Sequence, residues 1–285
     1  MKFKFRFFSL LSIILLGIFT ISCTSTSISN ADNYFIAHYI NVDQGDSILI
    51  QVNNENLLID AGSKSSKSSI INYLNKEKIE KFDYVIATHP HEDHIGNMAD
   101  IIKKYPIDNF YAPKVTHTSK TFENMIDALK DKNMKIKVIK EGTNTIDLGK
   151  DTTVTVYAPV NEKYDDLNNY SPIIKITYKN TSFLFTGDAE KISENEVINK
   201  KYNLKADVLK IGHHGSSSST SNNFLNEVNP SIAVISVGKY NDYGHPNKEI
   251  INSLKEKNIK IYRTDLDEDV VLYSNGNTII IMTTR

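Results

Sequence analysis

The stretch YVIATHPHEDHIGNM, residues 84–98, decides more about the fold of this chain than any other segment. Its apolar start is typical of a strand, and three histidines and two acids follow within six residues. His89 and His91 project to the same side of an extended segment, where they can bind one cation. Asp93 and His94 can then face a second cation, since imidazole and carboxylate are common ligands of zinc and similar ions. The spacing predicts a metal site on a loop that ends where a helix begins at His94.

Short apolar runs alternate with amphipathic stretches from residue 34 onward, which predicts an α/β fold. The strand candidates are FIAHYINV, DSILIQV, NLLID, DYVIAT, TVTVYA, IIKITY, SFLFTG, DVLKI, IAVISV, IKIY, DVVLY and TIIIM. The helix candidates cover residues 68–75, 94–104, 121–132, 191–202 and 247–257. Hairpins mixed with strand–helix units predict two mixed sheets with helices outside. Residues 34–285 are expected to form a single domain.

The N-terminus differs from the rest of the chain. Three basic residues precede an apolar run of 15 residues, 7–21. This run is shorter than the roughly 20 residues that span a bilayer, so residues 1–22 are expected to be a secretory signal peptide. Cys23 stands where bacterial lipoproteins are cut and acylated, and the polar residues 23–33 resemble a flexible tether. We therefore expect an exported lipoprotein on the outside of the cell membrane; an uncleaved anchor and an ordinary signal peptide are the alternatives.

The composition suits a globular protein, with 40% hydrophobic and 24% charged residues. A net charge of −1 neither supports nor excludes binding to nucleic acid. Only Arg263 and Arg285 remain as arginines after the signal peptide, and the lysines are interleaved with acids as on a solvated surface. A single cysteine permits no internal disulfide, so core burial and metal binding must stabilise the fold. No protein partner is predicted.

Further motifs follow other apolar strands, and together with THPHEDHIGN they resemble the metallo-β-lactamase superfamily, hydrolases with a four-layer αββα sandwich. LLIDAG resembles the early strand-end aspartate of that family, which would make Asp60 a support for the histidines. FLFTGDAE resembles the aspartate that bridges two metals, here Asp188. VLKIGHHGS resembles a later histidine ligand, assigned to His213 with His214 as the alternative. The implied metal ligands are His89, His91, Asp93, His94, Asp188 and His213.

Longer segments closely resemble the soluble domain of the competence protein ComEC. They are NVDQGDSILIQ, NNYSPIIKITYKNTSFLFTGDAE, VLKIGHHGSSSSTS and GHPNKEIINSLKEKNIKIYRTD, and the similarity covers essentially all of residues 34–285. In that family the domain is attached to a membrane channel for incoming DNA and is thought to degrade the strand that is not transported. No channel-like apolar segment accompanies these motifs. We therefore expect this chain to share the hydrolase activity of that family and not its DNA transport.

One departure from the wider superfamily concerns the metal. Many members supply a third histidine to the first cation, whereas DDLNNYSPIIK, residues 165–175, contains none. Asn169 or Ser171 could take that place, which would weaken one site and shift its preference from zinc toward manganese or magnesium. The expected cofactors are two divalent ions, zinc or manganese, with one site weaker than the other.

The catalytic roles follow from these ligands. Asp93 is predicted to ligate a cation and to orient the attacking water, which the cations make nucleophilic near neutral pH. His245, in YGHPNKE, is predicted to donate to a substrate oxygen or to act as a general acid, with an incidental surface histidine as the alternative. The serines that begin at Ser216 could bind phosphate or form a mobile loop.

The leading hypothesis is a metal-dependent phosphodiesterase or nuclease acting on DNA, and it rests mainly on the resemblance to ComEC. One alternative is a surface phosphoesterase that acts on polymers of the cell envelope. Another is an inactive metal-binding surface module. Hydrolysis of β-lactams is the least favoured, because the third histidine is missing.

Overall fold

Two mixed β-sheets pack face to face in residues 34–285, the part of the chain that the computed structural model describes. The strands are β1 (Phe35–Tyr39), β2 (Ile48–Val52), β3 (Glu55–Ile59), β4 (Phe82–Ile86), β5 (Ile107–Ala112), β6 (Ile136–Val138), β7 (Thr152–Val156), β8 (Ile174–Tyr178), β9 (Thr181–Phe185), β10 (Val208–Lys210), β11 (Ile232–Ile235), β12 (Lys260–Arg263), β13 (Val270–Ser274) and β14 (Ile279–Thr283). Within the described residues, one sheet has the order β14-β13-β1-β2-β3-β4-β5-β6 and the other β12-β11-β10-β9-β8-β7. The predicted signal peptide, Cys23 and the tether lie outside the described residues.

Helices cover the outer faces of both sheets. They are α1 (Lys67–Lys76), α2 (Glu92–Ile95), α3 (Met98–Lys104), α4 (Lys120–Asp131), α5 (Lys191–Asn199), α6 (Asn222–Val228), α7 (Lys248–Glu256) and α8 (Thr264–Asp267). Ser119, Ser221 and Asn247 precede α4, α6 and α7, and their side chains accept backbone N–H bonds that the first turns would otherwise leave unpaired. Across residues 34–285, no helix combines the length and the apolar character needed to cross a membrane.

Alternating side chains divide the core into layers. In β2, Ile48 and Ile50 point into the cluster between the sheets, whereas Leu49 packs with the helices outside. In β9, Phe183 belongs to the same central cluster and Leu184 packs against the helices of the second sheet. Each sheet is therefore buried on both faces. The predicted αββα sandwich is confirmed.

Parallel strands place their carboxyl ends at one rim of the sandwich. Strands β3, β4 and β5 are parallel in the first sheet, and β9, β10, β11 and β12 are parallel in the second. Loops that follow parallel strands lie at the same edge and commonly carry the functional residues of a fold. Asp60, the histidines that begin at His89, Asp188, the pair His213–His214 and His245 all follow such strands.

Some elements differ from those predicted. The helix expected over 94–104 is two helices, α2 and α3, because Asn97 lies between them with φ −106° and ψ 8°, outside helical geometry. Helix α2 already begins at Glu92, so Asp93 belongs to its first turn rather than to the preceding loop. Helix α5 ends at Asn199 instead of continuing to residue 202, because Lys201 has a positive φ of 57°. Strands β5 and β6 were not among the predicted strands.

Candidate metal centre

A compact group of donor atoms lies at the rim where the parallel strands end. One ligand atom from each of Asp93, His94, Asp188 and His214 lies within 4.8 Å of the others. The Oδ2 atom of Asp188 lies 3.1 Å from His94 Nε2 and 3.5 Å from His214 Nε2. Asp93 Oδ2 lies 3.2 Å from His214 Nε2 and 3.9 Å from His94 Nε2. We call these four residues the His94 half of the centre.

The second nitrogen of each histidine in the His94 half has a partner behind it. His94 Nδ1 lies 2.7 Å from Asp60 Oδ2, and the same carboxylate accepts the Thr88 hydroxyl and backbone N–H. His214 Nδ1 lies 2.9 Å from the carbonyl oxygen of Ser236. Donation from Nδ1 fixes the tautomer and leaves the Nε2 lone pair free for a cation. Asp60 thus supports His94 from behind the ring and is not one of the four clustered donors.

Burial and the charges of neighbouring residues shift the pKa values of the His94 half in opposite directions. Burial would lower the pKa of His94, but Asp188, Asp93 and Asp60 outweigh it and raise the pKa well above the usual value. The pKa of His214 is also raised, because the negative charge of Asp188 and the nearby Asp93 carboxylate outweigh burial. Burial would raise the pKa of both aspartates, but the histidines hold the pKa of Asp188 and of Asp93 below the usual value. The carboxylates are charged, and each faces an imidazole that can exchange its proton for a cation.

Several buried polar atoms of this rim have no hydrogen-bond partner among residues 34–285. They include His94 Nε2, His214 Nε2 and Asp188 Oδ1. Unpaired polar atoms in a protein interior carry a desolvation cost of about 1–3 kcal/mol each. A bound ion that contacts these atoms would offset that cost. Two imidazole nitrogens with two carboxylates form a donor set suited to zinc, manganese or iron. The residues present therefore fit a divalent metal ion.

His89 and His91 form a second part of the centre, which we call the His89 half. His89 Nε2 lies 3.0 Å from His91 Nδ1 and 3.8 Å from Asp188 Oδ2, so Asp188 is shared between the two halves. Burial, and next the charge on His94, hold the pKa of His89 well below the usual value. Its Nδ1 atom lies 3.1 Å from the Thr88 hydroxyl, which turns Nε2 toward His91 and Asp188. The alternating histidines meet on one side, as the extended spacing predicts.

The two residues predicted to replace the third histidine hold the loops together. The Ser171 hydroxyl lies 3.3 Å from His89 Nδ1, behind the ring, and accepts the backbone N–H of Asp188. The Asn169 side-chain oxygen accepts the backbone N–H groups of Glu190 and Ser193. Both residues are buried, but neither directs a free oxygen toward His89 Nε2 through any of these contacts. The described residues thus give the His89 half fewer donors than the His94 half.

The adjacent histidines after β10 occupy different positions. His213 and His214 have positive φ values of 47° and 55°, and Gly215 follows at 84°, so the chain reverses in a conformation that is costly for a non-glycine residue. His214 points into the His94 half, whereas His213 lies outside the four-residue group, with Nε2 3.7 Å from Asp188 Oδ2. The other ring nitrogen of His213 lies 3.3 Å from Glu190 Oε1. The geometry favours His214 over His213 as a ligand, and ligation by either residue stays a prediction.

The serines after these histidines form an ordered turn. Ser218 Oγ lies 3.2 Å from His213 Nδ1 and 2.9 Å from Ser216 Oγ. Ser219 donates its hydroxyl to the carbonyl oxygen of Gly212. Ser216 therefore braces the loop that orients His213, and phosphate binding by its hydroxyl stays a prediction.

A cavity of about 360 Å³ opens above the donor atoms. It is lined by Gln44, His91, Glu92, Asp93, Asp188, His213, His214, Tyr243 and His245. The His245 ring stands edge-on to His213, with 5.6 Å between the ring centroids. Burial, and next the charges on His213 and His214, lower the pKa of His245 to about 4. His245 is therefore neutral at pH 7, which favours a hydrogen-bonding role over that of a general acid.

A buried ion pair beneath the centre was not predicted from the sequence. Lys210 is fully buried, and its Nζ atom lies 3.1 Å from Asp46 Oδ2 and 2.7 Å from the carbonyl oxygen of Ile211. Asp46 Oδ1 lies 3.6 Å from His214 Nδ1, so the pair stands directly behind a predicted metal-binding ring. The lysine within the apolar run VLKI was the available signal, because a strand buried on both faces has no solvated side for it.

The chain matches known proteins in both sequence and fold. Residues 40–239 match the family model described as the metallo-beta-lactamase superfamily. The chain belongs to this superfamily. It is 32% identical over 244 residues to ComE operon protein 3 of Bacillus subtilis, covering 79% of this chain and 31% of that protein. It is 29% identical over 225 residues to the competence protein ComA of Neisseria gonorrhoeae, covering 78% and 30% of the two chains.

These relatives confirm the predicted similarity of this metallo-β-lactamase domain to ComEC-type competence proteins. The domain spans about a third of the length of the curated relatives that it matches. Its fold also matches the metallo-beta-lactamase fold protein YhfI of Bacillus subtilis, with a TM-score of 0.53 and 15% identity over 87% of this chain and 99% of that one. A match at this identity supports the shared fold and no more.

Proposed function

We propose that this metallo-β-lactamase domain is a metal-dependent phosphodiesterase that cleaves nucleic acid. The observation that carries the proposal is the His94 half, where unpaired Nε2 atoms of His94 and His214 converge with Asp188 beneath an open cavity. Divalent ions bound at such a centre supply Lewis acidity, which activates a water molecule and neutralises charge on a phosphoryl oxygen.

The residues of the chain position the reactants around that centre. Asp93 keeps its charge because His94 and His214 outweigh burial and lower its pKa, so its carboxylate can accept a hydrogen bond from the attacking water and orient it. His245 is neutral and lines the cavity, where its ring can hydrogen-bond a non-bridging oxygen of the substrate. Thr88 and Asp60 hold His94 in place during the reaction.

The choice of nucleic acid as substrate is supported by the similarity to ComEC-type proteins, whose soluble domain is thought to degrade DNA. The charge of the chain gives little independent support. Arg263 is engaged by Asp265 at 2.9 Å and 2.6 Å, and Arg285 donates to the carbonyl oxygen of Leu266. Arg263 is paired with a carboxylate and Arg285 is a single exposed arginine, so non-specific binding to phosphate would depend mainly on lysines.

The engaged arginines favour a second candidate, a phosphoesterase acting on polymers of the cell envelope. A single phosphodiester can be held at the metal centre without a row of arginines along the polymer. An inactive metal-binding module would retain the donor group and lack turnover on any phosphodiester.

The test incubates the purified protein with plasmid DNA, single-stranded DNA or bis-p-nitrophenyl phosphate in the presence of manganese, zinc or magnesium. We expect DNA cleavage that needs the added metal and that His94→Ala abolishes, whereas the control His117→Ala, at a half-buried histidine outside the donor group, retains it. Cleavage of the small diester alone would favour the envelope phosphoesterase. Intact substrates together with bound metal would favour the inactive module.

We also propose that the protein acts outside the cell, held by a lipid on Cys23 after removal of residues 1–22. The proposal rests on the sequence alone. Radiolabelled palmitate should enter the wild-type protein and be absent from Cys23→Ser, which should also leave the membrane fraction. Retention of Cys23→Ser in the membrane would instead indicate an uncleaved anchor.

A further inference from the structure

The loop of residues 238–246, which we call the tyrosine loop, is held rigid by its own polar contacts. Asn241 donates from its side chain to the carbonyl oxygens of Gly238 and His245 at 2.8 Å and 2.7 Å. Its side-chain oxygen accepts the backbone N–H groups of Tyr243 and His245 at 3.2 Å and 3.0 Å. One asparagine therefore uses four hydrogen bonds to fix the shape of the loop.

The base of the tyrosine loop is docked on the loop that precedes β2. The backbone N–H of Gly238 donates to Gln44 Oε1, and an added Cβ at Gly238 would lie 2.6 Å from the backbone nitrogen of Gln44. Gln44 itself lines the cavity above the donor atoms. A rigid loop that is anchored beside the cavity loses little conformational entropy when it binds a ligand.

This preorganised loop presents two aromatic rings to solvent. Tyr240 is 89% exposed and Tyr243 is 70% exposed, whereas most of the large apolar side chains of residues 34–285 are buried. The Tyr243 ring lies over His245, with ring centroids 5.8 Å apart and an interplanar angle of 22°. One face of Tyr243 is thus supported from below, and the outer side of the ring remains accessible. Rings displayed in this way commonly serve as contact surfaces for flat ligands.

The tyrosine loop lies beside the cavity in which the proposed reaction would take place. Tyr243 lines the same cavity as Asp93 and Asp188, and His245 beneath it is in contact with His213. A polymer whose scissile bond lies at the donor atoms would therefore pass its next unit across the tyrosine loop.

The charge beside the rings distinguishes among polymers. The Nζ atom of Lys239 lies 5.6 Å from the centre of the Tyr240 ring. A cation next to aromatic faces matches a ligand that alternates anionic phosphates with flat bases. A neutral sugar polymer would use the rings and leave the cation without a partner. Bases paired in a duplex are stacked on one another and do not offer a free face to a tyrosine.

We infer that Tyr240 and Tyr243 form a stacking subsite for unpaired bases that flank the scissile phosphodiester. The inference rests on the proposed function and specifies its substrate, because it assigns single-stranded nucleic acid to the cavity. Each ring stacks on a base through its π-face, so the subsite accepts any base sequence. Lys239 contacts the phosphate that joins the stacked nucleotides.

The experiment measures binding by fluorescence anisotropy with two oligonucleotides of equal length and charge. Both carry phosphorothioate linkages that resist cleavage; one has thymine bases and the other is abasic throughout. We expect the wild-type protein to bind the thymine oligonucleotide at least about tenfold more tightly, since stacking on one aromatic ring contributes a factor of about 5 to 150. Tyr243→Ala and Tyr240→Ala should each reduce this preference, and the double variant should remove it.

Matched variants separate stacking from other roles. Tyr243→Phe keeps the ring and should keep the preference, whereas Tyr243→Leu keeps apolar area without the ring and should lose it. Lys239→Gln should weaken binding of both oligonucleotides equally, because the phosphates are common to them. Thermal unfolding should remain unchanged in all of these variants, since the side chains are exposed.

Two results would overturn the inference. One is equal affinity of the wild-type protein for thymine and abasic oligonucleotides. The other is competition by a neutral glucan for the site with loss of glucan binding in Tyr243→Ala, which would assign the rings to sugars. Failure of the wild-type protein to cleave DNA with any metal would count against the proposed function, while a base preference removed by the tyrosine variants would still support the subsite.

Discussion

The two halves of the centre share Asp188 but differ in how their histidines are held. In the His94 half, each ring has a partner behind Nδ1 and a carboxylate in front of Nε2. In the His89 half, His89 Nε2 lies 3.0 Å from His91 Nδ1 and 3.8 Å from the Asp188 carboxylate. The first arrangement is preorganised for a cation, whereas the second must separate its two rings before both can bind one.

Because of this difference, we expect any metal ions bound by the two halves to be held with unequal affinity. Preorganised donors bind with little rearrangement of their side chains, and charged carboxylates add attraction that neutral imidazoles lack. We expect the His94 half to fill first and the His89 half to fill only at higher metal concentration.

The largest expected effect comes from Asp188→Asn, which removes the carboxylate common to both halves. Metal content should fall at both, and turnover should fall by about 10³-fold or more, because bound cations supply several kcal/mol of transition-state stabilisation. Inductively coupled plasma mass spectrometry and DNA cleavage report these changes. The exposed control Asp131→Asn, on α4, should leave both unchanged. Retention of one equivalent of metal by Asp188→Asn would show that the halves do not depend on a common ligand.

The next largest effect is expected from replacing the adjacent histidines, His213 and His214, one at a time. His214→Ala should weaken metal binding in the His94 half by about 10²-fold, since it removes one of four donors. His213→Ala should retain that metal and lower turnover, because His213 lies outside the four-residue group. Isothermal titration with manganese provides the measurement. Metal loss in His213→Ala with normal binding in His214→Ala would reverse the assignment.

The response to pH should also separate the halves. The raised pKa values of His94 and His214 mean that a cation must displace protons from them, so affinity in the His94 half should rise by about tenfold per pH unit for each proton displaced. His89 is already neutral, because its pKa is lowered, and its half should respond less. Titrations with manganese across a range of pH values test this, and equal slopes for both halves would contradict it.

The metal-free protein should show the opposite trend in stability. The raised pKa values of His94 and His214 stabilise it fully below about pH 6.5, and this contribution is lost as the pH rises through the folded-state values. The lowered pKa values of Asp93 and Asp188 contribute above about pH 4 and are lost as the pH falls through the folded-state values. The midpoint temperature of thermal unfolding, measured in a chelator, should therefore be highest between about pH 4 and about pH 6.5.

A smaller effect is expected at Gly45, whose φ of 138° brings it against the His94 half. An added Cβ would lie 2.2 Å from the carbonyl oxygen of Asp93, so Gly45→Ala should displace Asp93 and lower turnover by about tenfold. Gly142→Ala is the matched control, because Gly142 also has a positive φ, of 77°, but an added Cβ there meets nothing within 4 Å. Equal losses of turnover in the two variants would show that backbone strain alone is responsible.

The smallest expected effect concerns the support behind His89. Ser171→Ala removes the hydroxyl 3.3 Å from His89 Nδ1 and should weaken metal binding in the His89 half by about fivefold, the equivalent of about 1 kcal/mol for one hydrogen bond. Binding in the His94 half should not change. A loss of metal affinity in the His94 half of Ser171→Ala would show that the two halves are coupled through the backbone of Asp188.

The sequence predicted the elements whose patterns are local. The stretch from Tyr84 to Met98 combined a strand, a histidine-rich loop and a helix, and all three are present. Strand β5, IDNFYA, was missed because Asp108 and Asn109 interrupt its apolar pattern, and β6 was missed because all three of its residues are exposed. Their places are set by pairing with β4 and with each other, which no local pattern records.

The metal centre was predicted less completely than the fold, because the directions of its side chains depend on backbone angles that the sequence does not show. Consecutive residues on a regular strand point to opposite faces, yet the positive φ values at His213 and His214 redirect both rings. The sequence therefore could not decide which of them faces the metal site. Asp46 and Lys210 lie 164 positions apart in the sequence, so their contact requires the two sheets to be assembled first.

The ion pair between Asp46 and Lys210 also joins the two sheets, since Asp46 precedes β2 and Lys210 ends β10. Separating two buried charges without a replacement partner is strongly unfavourable, costing about 3–5 kcal/mol when one partner is removed. Local opening of this rim should therefore require much of the domain to unfold with it. In native-state hydrogen exchange, the amides around β10 should exchange only by global unfolding, so the reaction centre would be as slow to exchange as the interior that supports it.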